Sequence, residues 1–281
     1  MKPISKKKKR IRWVAAILFV LCAGFCYWSN NSIQITNYTY ISEEVPEGFD
    51  GYTIVQLSDL HNKKFLNDNA SLLKKVKALQ PDLIVLTGDI VDNSYHTNID
   101  KAVLFTNQVQ QIAQTYYITG NHEVSLKRKE YLDFIKRMKA GGVIYLKDEI
   151  VHLKSESGET ISLIGLADDS LLSPKLEEIM RGEPEEGLSV LLAHEPQFIN
   201  FYAETGVDIV FSGHAHGGQF RIPFLHRGLY APDQGLFPTL TEGSVTRDST
   251  TMYISRGLGN SAFPQRLMNR PEIVCVRLSC S

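Results

Sequence analysis

Five short strings in this 281-residue chain hold side chains suited to gathering cations: Ser58-Asp-Leu-His61, Gly88-Asp-Ile-Val-Asp92, Gly120-Asn-His-Glu123, Ala193-His194 and Gly213-His-Ala-His216. Together they contain five of the eight histidines and no cysteine. Carboxylate, carboxamide and imidazole donors without thiolate suit Mn²⁺, Fe or Zn²⁺ rather than Cu(I) or an iron–sulfur cluster. Asp59 and His61 are two residues apart, as are His214 and His216. On an extended segment that spacing points both side chains of a pair to one side. Taken singly, each string is weak. Gly-Asp is a common turn dipeptide, and a lone Asp-x-His is more often a surface turn than a ligand pair. His194 by itself reads as a satisfied histidine at a strand terminus. All five in one order, each after an apolar run, are not the work of chance.

Those apolar runs are the elements that must position the chemistry. They are Thr53–Leu57, Asp82–Leu86, Thr115–Ile118, Ile161–Ile164, Ser189–Leu192 and Asp208–Phe211. Helical stripes lie between several of them. Ala70–Leu79 puts Leu72, Leu73, Val76 and Leu79 on one face and stops before Pro81. Lys101–Gln114 and Lys129–Lys139 carry similar stripes. Strands alternating with helices predict a layered α/β architecture. In such sheets ligands gather beyond the carboxyl ends of the strands, where the five strings stand. Gly88, Gly120, Gly213, Gly217 and Gly218 permit tight turns there. The tail differs, with strand-like Thr251–Ser255 and Glu272–Leu278 and no helix between. Residues 50–281 are expected to form one catalytic domain.

The net charge of −1 hides an asymmetry. Seven of the 30 Lys and Arg lie in residues 1–12, which hold no acid, leaving 23 positive against 31 negative charges, or −8, for the rest. So acidic a domain is poorly suited to a nucleic-acid backbone, and no nucleic-acid partner is expected. Residues 1–12 read as a basic cytoplasmic tail. Trp13–Trp28 follows without a charge, about 24 Å of helix, slightly short of a typical hydrocarbon core. Trp13, Tyr27 and Trp28 suit the two interfacial belts. With the basic flank inside, the chain is expected to cross the cell membrane once and hold its catalytic domain outside. A cleaved signal peptide is the rival, but the exit Phe25-Cys26-Tyr27-Trp28 is bulky where cleavage wants small residues. Residues 29–49 read as a stalk, with the Ile, Thr and Tyr content of a first strand over Ser32–Ile41. Cys22, Cys26, Cys275 and Cys280 lack the paired spacing of a zinc or redox motif and read as structural thiols.

The five strings match D-x-H, GD-x-x-D, GNH-[DE], H and GH-x-H, so the sequence resembles the calcineurin-like metallophosphoesterase superfamily over residues 58–216. Gly217-Gly218-Gln219, Leu229-Tyr-Ala-Pro232, Ser255-Arg-Gly-Leu-Gly-Asn260 and Asn269-Arg-Pro-Glu272 are similar to its membrane-anchored bacterial branch. The resemblance implies a four-layer αββα sandwich of two mostly mixed β-sheets flanked by helices, after one transmembrane helix. It implies one divalent ion on Asp59, His61, Asp89 and His216. A second would sit on Asp89, Asn121, His194 and His214, with Asp89 bridging. His122 would be the general acid and Asp92 would orient it. Mn²⁺ is the first expectation among Mn, Fe and Zn. Two such cations about 3.5–4 Å apart would neutralise a phosphodiester and let a hydroxide bridging them attack.

The expected substrate is a phosphodiester or pyrophosphate, lipid-linked or from the envelope. A nuclease, a phosphoprotein phosphatase and a non-catalytic metal-stabilised scaffold are the alternatives. The acidic domain and its outward topology weigh against the first two. The intact ligand set with His122 and Asp92 weighs against the third. Asp168 and Asp169 could line the site or start a helix near Pro174. His96, His152 and His226 have no motif context and read as surface residues. Arg256, Arg266 and Arg270 could bind phosphate, though structural ion pairs are the commoner fate. The segment from Phe220 to Leu225, with Leu229, Tyr230, Phe237 and Pro238, is unusually apolar for a loop beside a site, and reads as core or as a bilayer contact.

Overall fold

Strand interiors that are apolar on both faces must be covered on both faces, and a computed structural model of the chain shows how. It describes residues 6–94, 97–171, 174–181, 187–222, 227–260 and 263–281. His96, His226 and the Phe224 and Leu225 part of the apolar segment lie outside the described residues.

The first sheet has the order β1 (Gln34–Ser42), β16 (Glu272–Cys280), β2 (Thr53–Leu57), β3 (Leu83–Thr87), β4 (Gln114–Ile118), β5 (Ile144–Tyr145). The second runs β14 (Gly243–Arg247), β15 (Thr250–Ile254), β9 (Ile209–Ser212), β8 (Ser189–Leu192), β7 (Thr160–Gly165), β6 (Glu149–Lys154). Both sheets are mixed. β2, β3, β4 and β5 are parallel, as are β15, β9, β8 and β7. β16 is antiparallel to β2, and β14 and β6 are antiparallel edges.

Successive residues on a strand face opposite ways, and this splits each strand between two cores. Ile54, Val85 and Ile118 meet Leu163, Val190 and Phe211 between the sheets. Their neighbours Val55, Ile84 and Tyr117 turn outward onto Leu72 of α2 (Ala70–Ala78), Phe105 of α3 (Ile99–Gln110) and Phe134 of α5 (Arg128–Ala140). On the far side Leu191, Val210 and Met252 pack on Leu176 of α6 (Lys175–Met180) and Tyr202 of α7 (Ile199–Glu204). Each such side chain, fully buried, contributes about 1.5–3 kcal/mol. The expected four-layer αββα sandwich is the observed fold.

Two local boundaries shift. The helix anticipated over Lys101–Gln114 starts at Ile99, where the Asn98 side chain accepts from Lys101 N, and ends at Gln110. The Gln110 side chain accepts from Thr115 N, and Gln114–Ile118 then enters the sheet. Within residues 29–49, the first strand expected over Ser32–Ile41 is an edge strand over Gln34–Ser42. β1 pairs in parallel with β16 from Gln34 opposite Glu272 to Ser42 opposite Cys280. Ahead of it, α1 (Lys6–Asn31, 26 residues) is long and apolar enough to cross a membrane, and only its Ser29 is buried.

After the last histidine string come two short ribbons, β10 (Arg221–Ile222) with β11 (Arg227–Gly228) and β12 (Tyr230–Ala231) with β13 (Gly235–Leu236).

Candidate metal centre

The carboxyl ends of β2, β3, β4, β8 and β9 converge, and backbone hydrogen bonds continue beyond the strands to hold them there. Asp59 N donates to Gly88 O at 3.0 Å, and His61 N to Asp89 O at 2.9 Å. Gly213 N reaches His194 O at 2.9 Å in the second sheet. The two sheets are tied together when His214 N donates to Asp59 Oδ1 at 3.0 Å and Gln56 Nε2 to Ser212 O at 2.8 Å.

Convergence is achieved differently from the sequence expectation. Asp59, His61, Asp89, His214 and His216 all have positive φ, between 47° and 64°. The pairs 59/61 and 214/216 therefore meet through left-handed turns after the strands, not through the alternation of an extended chain. Such backbone costs on the order of 1 kcal/mol or more per residue and persists where its surroundings hold it. Gly88 has φ +90°, and a Cβ there would stand 2.6 Å from Gly120 N and 2.7 Å from His194 Nδ1.

Two groups of donor atoms result, each within 4.8 Å throughout: Asp59, His61, Asp89 and His216 in one, Asp89, His194 and His214 in the other. Asn121 joins the second, its Oδ1 lying 3.0 Å from His214 Nδ1 and 3.3 Å from His194 Nε2. Asp89 belongs to both. All seven residues anticipated as metal ligands are thus brought together.

The donor set fits divalent cations. His61 Nε2 faces His216 Nε2 at 3.0 Å, and His194 Nε2 faces His214 Nδ1 at 3.3 Å. Two imidazole nitrogens so placed aim lone pairs into one space, which a cation satisfies better than a single shared proton. Asp59 Oδ2 is buried without a hydrogen-bond partner among the described residues. Burial pulls His61 and His214 down to about 4 and takes His216 well below its ordinary value, so these rings are neutral and able to donate. Burial would raise the Asp89 carboxyl, but His194 and His61 together hold it well below the carboxylate range. Burial opposes charge on His194 as well, yet Asp89 Oδ2, 3.3 Å from its Nε2, keeps it well above the usual imidazole value. Its Nδ1 donates to Thr87 O at 2.7 Å, so Nε2 is the nitrogen that would face a cation once its proton is displaced.

His122 and Asp92 stand beside the first group. His122 Nδ1 is 3.3 Å from Asp92 Oδ1, and its ring meets that of His61 edge-on at 4.4 Å. His122 N donates to Asp89 Oδ1 at 2.9 Å from α4 (Asn121–Val124), a single helical turn.

Sequence reasoning missed three supporting residues. Buried Glu123 accepts from Asp89 N and Val91 N, each at 2.8 Å, and from Gly120 N at 2.9 Å. Its place at the end of the Gly-Asn-His-Glu string was the signal. Asn62, next to His61, accepts from Asp92 N and Asn98 N at 3.0 Å. Asp233, between β12 and β13, places Oδ2 3.0 Å from His214 Nε2, and no motif marks it. Two of the three arginines resolve as structural. Arg256 pairs with Glu272 and Arg270 donates to Ser32 O, whereas buried Arg266 donates to Gly259 O and also sets Nη2 3.3 Å from Nδ1 of His216, one of the anticipated ligands. Asp169 pairs with Lys147. Asp168, pushed up to about 6 by burial, lies near His194. His152 is exposed on β6.

The calcineurin-like phosphoesterase family model matches residues 52–218. The chain is 30% identical to the metallophosphoesterase YkuE of Bacillus subtilis, over 97% of this chain and 98% of that one. It is 29% identical to the metallophosphoesterase Cj0846 of Campylobacter jejuni, over 98% and 73%. A transmembrane protein with a metallophosphoesterase domain from Danio rerio is 26% identical over 84% of this chain and 55% of its own length. Among solved structures, the sulfate thiohydrolase SoxB of Thermus thermophilus shares the fold at a TM-score of 0.50 and 14% identity, over 75% of this chain and 52% of that one. By the matched domain and by these relatives, the chain belongs to the calcineurin-like phosphoesterase family.

Proposed function

We propose that this chain hydrolyses a phosphodiester or pyrophosphate bond, with two divalent cations held over the shared Asp89. The observation that supports it most is the two donor groups meeting at that carboxylate with His122 alongside. Asp59, His61, Asp89 and His216 would hold one ion, and Asp89, Asn121, His194 and His214 the other, with Mn²⁺ the first candidate. When bound, the pair would neutralise the phosphate and acidify the attacking water.

The chain's own residues would do the rest. Asp92, beside Nδ1, would orient the His122 ring, and Nε2 would give a proton to the departing oxygen. A positioned acid of this kind contributes about 10²–10⁴ in rate. Asn121 supplies a neutral oxygen, so the site repels an anionic substrate less than another carboxylate would. Glu123 fixes the Asp89 and Gly120 turns on which both groups depend.

The membrane expectation also stays a proposal: α1 as an uncleaved anchor, its basic end inside, the domain outside, and a lipid-linked or envelope substrate within reach. The length and apolar surface of α1 support it. Purified full-length protein should hydrolyse a generic aryl phosphodiester after Mn²⁺ addition and lose this activity to chelation. Absence of hydrolysis with Mn²⁺, Fe²⁺ and Zn²⁺ alike would defeat the enzymatic reading in favour of a scaffold.

A further inference from the structure

Large apolar side chains are exposed in a run that starts where α1 ends and stops at the metal centre. The end of α1 is fastened to the loop before Leu267. Gln265 Nε2 donates to Cys26 O at 2.9 Å, and Asn30 Nδ2 to Pro264 O at 3.4 Å. The Arg270 guanidinium lies 5.0 Å from the Trp28 ring centre. From this loop, Phe263 meets Phe220 edge-on with ring centres 4.9 Å apart, and Gln219 Nε2 donates to Phe263 O at 2.7 Å. Leu229 N donates to Phe220 O at 2.7 Å, and Phe237 N to Leu229 O at 3.0 Å. Leu229 and Phe237 flank the β12–β13 ribbon whose Asp233 touches His214.

Along this path Tyr230 is 53% exposed, Leu236 69%, Phe237 50%, Phe263 50% and Met268 48%. Single exposed apolar residues are ordinary, whereas a contiguous run beside a site marks a surface that is covered in use. What covers it is indicated by continuity with α1. The loop bonded to the last turns of a bilayer-crossing helix cannot stand far from the headgroups of that bilayer. Aromatic and aliphatic side chains such as these partition into the headgroup and acyl boundary.

We infer that the rim formed by residues 229–237 and 263–268 dips into the outer surface of the bilayer that holds α1, and that the metal centre opens onto the lipid headgroups. This rests on α1 being a membrane anchor. It does not depend on catalysis, so it survives or fails separately from the phosphoesterase reading. At this surface a membrane-embedded phosphoester reaches Asp89 and His122 without leaving the lipid. The earlier alternative, that Leu229, Tyr230 and Phe237 are core, does not fit their exposure.

The test uses full-length protein in nanodiscs of phosphatidylcholine and phosphatidylglycerol doped with a diazirine-acyl phosphatidylcholine. After illumination, adducts are mapped by mass spectrometry. Adducts are expected on 229–237 and 263–268 as well as α1, and not at Gly206, which precedes β9 and so lies at the opposite end of the strands. In the double variant Leu236→Asp/Phe237→Asp, adducts on 229–237 should be lost while those on α1 persist. These side chains are exposed, so the fold should tolerate the change. Adducts confined to α1 in the wild-type protein would overturn the inference, as would rim adducts undiminished in the double variant.

Discussion

His122 Nδ1 and Asp92 Oδ1 are 3.3 Å apart, and the loop carrying Asp92 is pinned from behind because Asn62 Oδ1 accepts the Asp92 N–H at 3.0 Å. The carboxylate is therefore fixed before any substrate arrives. Replacing Asp92 with Asn should lower kcat by about 10-fold to 10²-fold while leaving the bound metal intact. His122→Asn should cost about 10²–10⁴ in kcat, also with metal retained. Metal content by plasma mass spectrometry beside steady-state kinetics separates these from ligand variants. Full activity in His122→Asn would remove the acid role.

Asp89 behaves differently because both donor groups use it. Its Oδ2 lies 3.6 Å from His61 Nε2 and 3.3 Å from His194 Nε2. Asp89→Asn should reduce metal content and abolish turnover together, with partial rescue at high Mn²⁺. Retention of a full metal complement would show that the two groups do not share this carboxylate.

Glu123 offers no donor atom to either group, yet its bonds to Asp89 N and Gly120 N hold both in place. Truncation to Ala strands the N–H groups of Asp89, Val91 and Gly120 in a buried site. Each unpaired buried donor costs about 1–3 kcal/mol, so Glu123→Ala should destabilise the protein by roughly 3 kcal/mol or more. Denaturant unfolding measures this directly, and a loss below about 1 kcal/mol would contradict the role.

What was legible follows from which interactions are local. Thr53–Leu57 and Asp82–Leu86 announce buried strands through composition, and the strings after them announce candidate ligands through residue type. Where side chains point after a strand ends is a property of φ, and Asp59 at 52° or His61 at 47° leaves no trace in the pattern. That is why the anticipated residues are brought together by a local geometry other than the expected one. Asp233 was invisible for a related reason, since its contact with His214 depends on how the β12–β13 ribbon folds back. The β1–β16 pairing joins residues 34–42 to residues 272–280, and a single sequence holds no record of that distance. β5, β6 and β14 were missed because they are short or half polar, with too few apolar positions to register as strands.

The last prediction concerns acid. In metal-free protein, His61 and His214 are held down to about 4 by burial, against an ordinary value near 6.5, and His216 is lowered too. Between these limits the three imidazoles bind more protons in the unfolded chain than in the folded one, so their contribution to stability rises with pH across that window and falls on acidification. Asp89, held below the carboxylate range, acts in the same direction at lower pH. His194 acts oppositely: its raised value stabilises the protein below its ordinary titration point and is lost only as pH rises through the folded value. Burial raises Asp59 and Asp168 to about 6, Glu195 to about 7 and Glu123 to about 8, and these carboxyls add stability as pH falls, so they offset the three lowered imidazoles and metal-free stability should stay nearly level from about pH 6.5 to about 4. Added Mn²⁺ should stabilise the protein near neutrality and lose that effect on acidification, because the groups that would hold it must be deprotonated to bind. Urea titrations at several pH values, with and without metal, measure both effects. A Mn²⁺ stabilisation as large at pH 5 as at pH 7 would show that protons do not compete with the ion for these groups.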